Sequence, residues 1–296
     1  MISRFVSKTA SNSNETATNR AGQSGVLRRL GANPAAWLGG FLMLLLIATA
    51  LLAPRIAPYP YDKLNPTQSL QPSSWQHLFG TDKLGRDMFS RVVFGAQLAL
   101  QIGITALIIA SGGGLLIGLA SGYFKGWLDR ALMGLVDLML SFPPVLLALI
   151  IMYALGPGSG SLILAVGLSP VPGFARLIRG QVFSISAKDY VLAAQAIGAS
   201  PSRIMLRAIL PNVLNPVIVL GTVLFPEAIL AGAGLSFIGL GAQPPSPDWG
   251  VLLLEGRAYL TEAPWLVNFP GLAILLVVLG SNLLGTALRQ ALTSKS

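Results

Sequence analysis

Two acidic side chains, Asp137 and Glu227, stand inside long apolar runs of this 296-residue sequence. An acidic group at the centre of a membrane helix costs about 2.5 to 3.5 kcal/mol on insertion scales, so it must face protein or water rather than lipid. Each can therefore line a pathway for a cationic or hydrogen-bonding solute, or pair with a backbone donor or a neighbouring subunit. Asp137 follows Arg130 by seven residues, which draws it toward a membrane interface. A second charged set, Asp82, Lys83, Arg86 and Asp87 in HLFGTDKLGRDMFSR, precedes an apolar run. Its members can pair with one another, cap the next helix, or meet the charges of a partner. Bond-making chemistry finds no support. There is no G-x-S-x-G elbow, no carboxylate pair with an aqueous cleft and no G-x-x-x-x-G-K-S/T phosphate loop. With no cysteine and only His77, neither a thiolate site nor a histidine cluster can form. No catalytic residue, no metal site and no directly bound cofactor are expected, and any energy input must come from a gradient or a separate subunit.

A third signal is a polar, helix-prone island from Lys188 to Asn212, KDYVLAAQAIGASPSRIMLRAILPN. Ala193, Ala194 and Ala196 are small helix formers, Gly198 permits a sharp reversal, and Ser200 before Pro201 predicts an N-cap with proline at the first helical position. The island thus reads as helix, turn, helix. A connection serving only to join two spans could be far shorter. Small side chains also let another protein's surface approach the backbone closely, so a partner is expected here.

The elements that must position these residues follow from composition. A hydrophobic fraction of 53%, a charged fraction of 10% and a mean hydropathy of +0.68 describe an integral membrane protein. Runs long enough to span lie near residues 35–53, 93–121, 130–155, 160–180, 213–235 and 267–288, predicting an all-α chain with six transmembrane helices. An even number returns both termini to one side. That side carries fourteen Lys and Arg against three Asp and Glu, while the other is balanced at six against six, which predicts cytoplasmic termini. Topology and anionic lipid then account for the basic pI of about 10.3 without nucleic acid.

The expected division is a disordered cytoplasmic tail at 1–33, a first span at 34–54, an ordered extracytoplasmic segment at 55–92, a membrane domain at 93–290 with the polar island at 188–212, and a short tail at 291–296. Arg28, Arg29, the apolar run and Ala48-Thr49-Ala50 imitate a signal peptide, but the run continues through Ala53 and is long enough to span. Gly112, Gly113, Gly114, Gly118 and Gly122 form a small-residue stripe suited to close helix packing. Pro143, Pro144, Pro170, Pro172, Pro216 and Pro226 predict kinks in the third, fourth and fifth spans. Trp249 and Trp265, in a second outside segment at 236–268, are expected at headgroup level.

The island DYVLAAQAIGAS with its downstream ILPN resembles the cytoplasmic coupling loop of bacterial ABC importer permeases, a pattern of two alanines, a glycine and a later leucine-proline pair. FGTDKLGRDMFSR, GYFKGWLDR, ARLIRGQV, LSFIGLGAQPPSPDWG and FPGLAIL, in that order, resemble the second permease subunit of dipeptide, oligopeptide and nickel importers. The likeness implies a type I ABC importer permease fold in the bacterial inner membrane. It also implies a homologous second permease, two cytoplasmic ATPases that carry ATP and Mg, and an extracytoplasmic solute-binding protein. On that likeness Asp189, Leu192, Ala193, Ala194, Gly198, Ala199, Ser200, Arg203, Leu210 and Pro211 belong to the ATPase-coupling loop. Leu192 stands where relatives usually carry Glu, and Thr286 where many carry Asp. A gradient-driven transporter using Glu227 or Asp137 as a cation site, and a non-transporting membrane subunit, remain the competing classes.

Overall fold

In the computed structural model, residues 30–293 are described. The tail expected at 1–33 falls almost wholly outside them, as do residues 294–296. The helices are α1 (Pro34–Ile56), α2 (Met88–Phe124), α3 (Gly126–Leu140), α4 (Pro144–Leu155), α5 (Ser159–Leu168), α6 (Val171–Ser186), α7 (Asp189–Ala196), α8 (Pro201–Ile204), α9 (Leu210–Phe237), α10 (Trp249–Gly256) and α11 (Trp265–Thr293). No strand occurs among the described residues. One π turn, Met205–Ile209, joins α8 to α9. Side-chain oxygens start three of the helices, because the first amides of a helix lack intrahelical acceptors. Asn33 accepts from the Ala35 amide, Asp87 from that of Ser90 and Asp248 from that of Val251. Burial pushes the Asp248 carboxyl above the ordinary carboxylate range, against the opposing pull of its amide contacts.

Among the described residues, five helical stretches are long and apolar enough to cross a membrane: 34–56, 88–124, 159–186, 201–237 and 265–291. The third expected span is not a single rod. Its halves α3 and α4 meet at 95°, so the described residues hold six spans only if this bent pair is one of them. Pro143 and Pro144 bring no amide hydrogen and push the preceding residue out of the helical region, which ends α3 at Leu140. A second break, at Ser169-Pro170, divides α5 from α6. Pro216 and Pro226, by contrast, are accommodated inside α9.

The bundle is built around α2, whose 37 residues extend roughly 55 Å. The glycine stripe on its second half faces α6. A Cβ on Gly114 would lie 2.3 Å from the Phe174 Cβ, one on Gly118 2.7 Å from the Ile178 Cβ, and one on Gly122 2.7 Å from the Val182 Cβ. Glycine every fourth residue lets the backbones meet where any side chain would hold them apart. The stripe is narrower than the sequence implies, because Gly112 faces open space and Gly113 only approaches Val171. Across the other side of α2, the Gln97 amide donates to the Ala50 carbonyl and ties in α1.

Both tryptophans expected at headgroup level are instead drawn into the protein. Trp249 is 4% exposed, donates to the Val92 carbonyl and lies against Gly95, where a Cβ would be 2.4 Å from its ring nitrogen. Trp265 is partly buried and donates to the Thr81 carbonyl. An internal acceptor removes the indole's need for the wet interface.

Gly118→Val is expected to destabilise the fold by about 1 to 3 kcal/mol through overpacking against Ile178. Gly112→Ala should leave it unchanged or slightly firmer. Thermal unfolding of the two variants in detergent checks the contrast.

Candidate functional site

The polar island forms a small structure at the end of the bundle reached by the second half of α2 and by α6. Val191, fully buried, plants α7 among Val182, Ile185, Ile204 and Ile209. The helix then stops at Gly198, whose φ of +76° is the left-handed conformation glycine adopts without strain. The Ala199 amide bonds the Ala194 carbonyl at 3.0 Å and the Gly198 amide bonds that of Gln195 at 2.9 Å, the paired closure of a Schellman motif. Ala194 and Ala199 pack on the same cluster. Ser200 holds the N-cap position of α8, but its hydroxyl faces Ser202 instead of a helix amide, so the expected side-chain cap is not made. The second helix of the island also has no separate end, since α8 continues through the π turn into α9.

Asp189, Leu192, Ala193, Gly198, Ser200, Arg203 and Pro211 are exposed here, whereas Ala194, Ala199 and Leu210 are half-buried. Sequence reasoning missed the most prominent side chain. Ile197 is 85% exposed at the tip, an apolar group presented to whatever meets this face. It also missed the brace beneath it, where Asn212 of the ILPN segment donates to the Tyr190 hydroxyl at 3.2 Å and to the Ala208 carbonyl at 2.8 Å. The signal for Ile197 was available, as an isoleucine beside the turn glycine in an otherwise polar loop.

The two intramembrane acids part company. Asp137 is paired with Arg176 across α3 and α6, and Asp129 with Arg179 a little farther along the same seam. Glu227 on α9 has no hydrogen bond or ion pair among the described residues. It opens into a groove of about 610 Å³ between α4, the α5–α6 break and α9, with Pro144, Ser169, Pro170 and Leu224 among its walls. Both backbone breaks of the fold border this groove.

The set Asp82, Arg86 and Asp87 lies at the other end of α2 and turns inward, Asp82 and Arg86 pairing with each other and Asp87 capping α2. Asp87 accepts from the Ser90 amide and hydroxyl at 2.7 Å each and meets His77 Nδ1 at 2.9 Å. Asp82 accepts from Arg91 at 2.7 Å and also pairs with Arg86, and both guanidiniums reach Glu255 of α10 at 3.0 and 2.9 Å. Arg86 and Arg91 are 2% and 1% exposed. Arg91 and Glu255 were not singled out from sequence, because 164 residues separate them and only folding joins them. This lattice clamps the α1–α2 connection onto α10. Removing one member leaves buried charge uncompensated, so Glu255→Ala is expected to cost about 3 kcal/mol. Glu255→Gln, which keeps an acceptor, should cost less, and thermal unfolding separates the two.

Comparison with known proteins bears on the whole arrangement. Residues 114–295 match the family of binding-protein-dependent transport system inner membrane components, and residues 24–72 match the N-terminal transmembrane domain of oligopeptide transport permease C. The dipeptide transport system permease protein of Alkalihalophilus pseudofirmus is 42% identical over 268 residues, covering 90% of this chain and 88% of that protein. The glutathione transport system permease proteins of Escherichia coli and Shigella boydii are each 43% identical over 274 residues, covering 90% of this chain and 89% of theirs. With a family match across more than half its length, relatives above 40% identity and an all-helical multi-span fold, this chain belongs to the binding-protein-dependent transport system inner membrane components, the permease subunits of ABC importers.

Proposed function

We propose that this chain is one of two permease subunits in an ATP-driven importer for short peptides or a related small solute such as a glutathione-like peptide, nickel or a metal chelate. The observation that carries the reading is the exposed α7 tip, a short helix closed by Gly198, presenting Ile197 and Leu192 at one end of the bundle. A chain without a phosphate loop needs a partner to deliver the energy of ATP, and this is the surface built for close approach. Two ATPase subunits would hold ATP and Mg and dock here, one of them on this chain. Both termini and α7 would then be cytoplasmic, in agreement with the excess of Lys and Arg on that side. The clamped α1–α2 connection and α10 would face the solute-binding protein on the outside, through backbone and rim side chains rather than through the buried Asp82, Arg86 and Asp87.

Coupling in this reading is mechanical. Val191 and the Asn212 brace join α7 to α6 and α9, so a push on the tip moves both as rigid bodies. Leu192, exposed beside the tip, makes the contact apolar where relatives usually place a charge. The dipeptide and glutathione names of the relatives support a small, peptide-like solute.

Ile197→Asp alters an exposed position, so folding and insertion should be preserved, whereas Gly198→Arg has room for its side chain but strains the turn at φ +76° by about 1 to 2 kcal/mol, a local cost that insertion should survive. Each is expected to cut ATP-driven uptake by roughly 30-fold, the scale of an interface hot spot. Uptake into proteoliposomes containing the assembled complex measures this. Wild-type uptake in both variants would sink the coupling role, and uptake that ignores ATP but collapses with an ionophore would favour a gradient-driven transporter.

A further inference from the structure

The groove at Glu227 has a chemistry that the importer reading does not by itself specify. Its walls are almost entirely hydrocarbon, and the polar side chains among them are Ser169 and Glu227. Two of the remaining wall residues, Pro144 and Pro170, have no amide hydrogen to offer. Proline also withholds the helical donor from the carbonyl four residues back, so Pro170 frees that of Val166, itself a groove residue. The site therefore offers the Glu227 carboxylate, the Ser169 hydroxyl and the freed Val166 carbonyl as acceptors, beside the uncapped first turns of α4 and α6. Glu227 stands ten residues before the end of α9, roughly 15 Å inside the membrane end of that helix. A carboxylate at that depth, unpaired among the described residues, calls for water, a positive charge or a donor-rich group opposite it.

We propose, building on the importer reading, that Glu227 is the point in the pathway that receives the ammonium group of the solute, with Ser169 as a second acceptor. A primary ammonium supplies three donors and one positive charge, which is the complement of this lining. The apolar walls from α4 and α9 take the rest of a small organic cation, and the groove volume of about 610 Å³ suits a molecule of that size. An anionic solute lacking an amine is disfavoured by the same charge.

The test uses the assembled complex with its ATPases and binding protein in proteoliposomes, with alanyl-alanine, glutathione and nickel ion as probes. Wild type should take up at least one amine-bearing probe, and Glu227→Gln should lower that uptake about tenfold or more, the scale of a lost hydrogen bond to a charged group. Glu227→Asp should restore part of it. ATP hydrolysis stimulated by the loaded binding protein, and co-purification of the two permeases, should be unchanged in Glu227→Gln. Equal uptake by wild type and Glu227→Gln overturns the proposal while leaving the importer intact. Wild-type uptake confined to nickel ion also overturns it. So does loss of permease pairing in Glu227→Gln, which would assign the carboxylate to the subunit interface. ATP-independent behaviour of the wild type would instead refute the importer reading itself.

Discussion

The close approach of α2 and α6 along Gly114, Gly118 and Gly122 sets the geometry on which the rest of the bundle depends. Within hydrocarbon there is no hydrophobic drive to bring two helices together, so packing contacts and interhelical polar bonds must do it. Removing three side chains in register lets Phe174, Ile178 and Val182 fill the space above the α2 backbone. Because α6 runs directly into α7, the position of the polar tip is inherited from this seam. The Asp137–Arg176 and Asp129–Arg179 pairs fasten α3 to the same helix from another side. A movement of α6 therefore cannot be local.

The two ends of the molecule are built differently, and the difference matches their proposed tasks. At the α1–α2 connection, two arginines and two acids are buried in a mutual lattice, and Trp249 and Trp265 lock backbone carbonyls beneath it. Buried charges of this kind hold one arrangement because every alternative leaves a charge unpaired. Toward the α7 end the ion pairs Asp137–Arg176 and Asp129–Arg179 are partly exposed rather than buried, and the tip itself presents Leu192, Ile197 and small residues. Such a surface lends itself to engagement and release by a partner while its root, at Val191, stays fixed. Between the two ends lies the groove at Glu227, bordered by both backbone breaks, where the fold gives up regular helix and gains a cavity.

Much of this was legible in the sequence, and the failures have physical causes. The apolar runs, the turn at Gly198 and the unfavourable placement of Glu227 each follow from the local chemistry of a few residues. Asp137 interrupts an apolar run as Glu227 does, and its nearness to Arg130 already drew it toward an interface, but the partner it takes, Arg176, is 39 residues away. Pro143 and Pro144 announced a kink, yet no local rule sets its size at 95°. Trp249 resembled an interfacial anchor until its ring nitrogen found the Val92 carbonyl, 157 residues distant. Ser200 was placed correctly as the residue before a helix, but the hydroxyl rotamer depends on neighbours the dipeptide cannot supply.

By itself the sequence determined the class of the molecule: hydropathy dictates membrane spans, and the bias of Lys and Arg supports one expected sidedness. These are one-dimensional properties, because partition into lipid and helix formation are decided within a turn or two of chain. Tertiary structure alone decided which charges are silent and which are available. Asp82, Arg86 and Asp87 looked available and proved to be interior, whereas Glu227 kept an open carboxylate and Ile197 an open apolar face. Desolvation and pairing depend on what folding brings within a few ångströms, and that proximity has no signature in the residues taken one neighbourhood at a time.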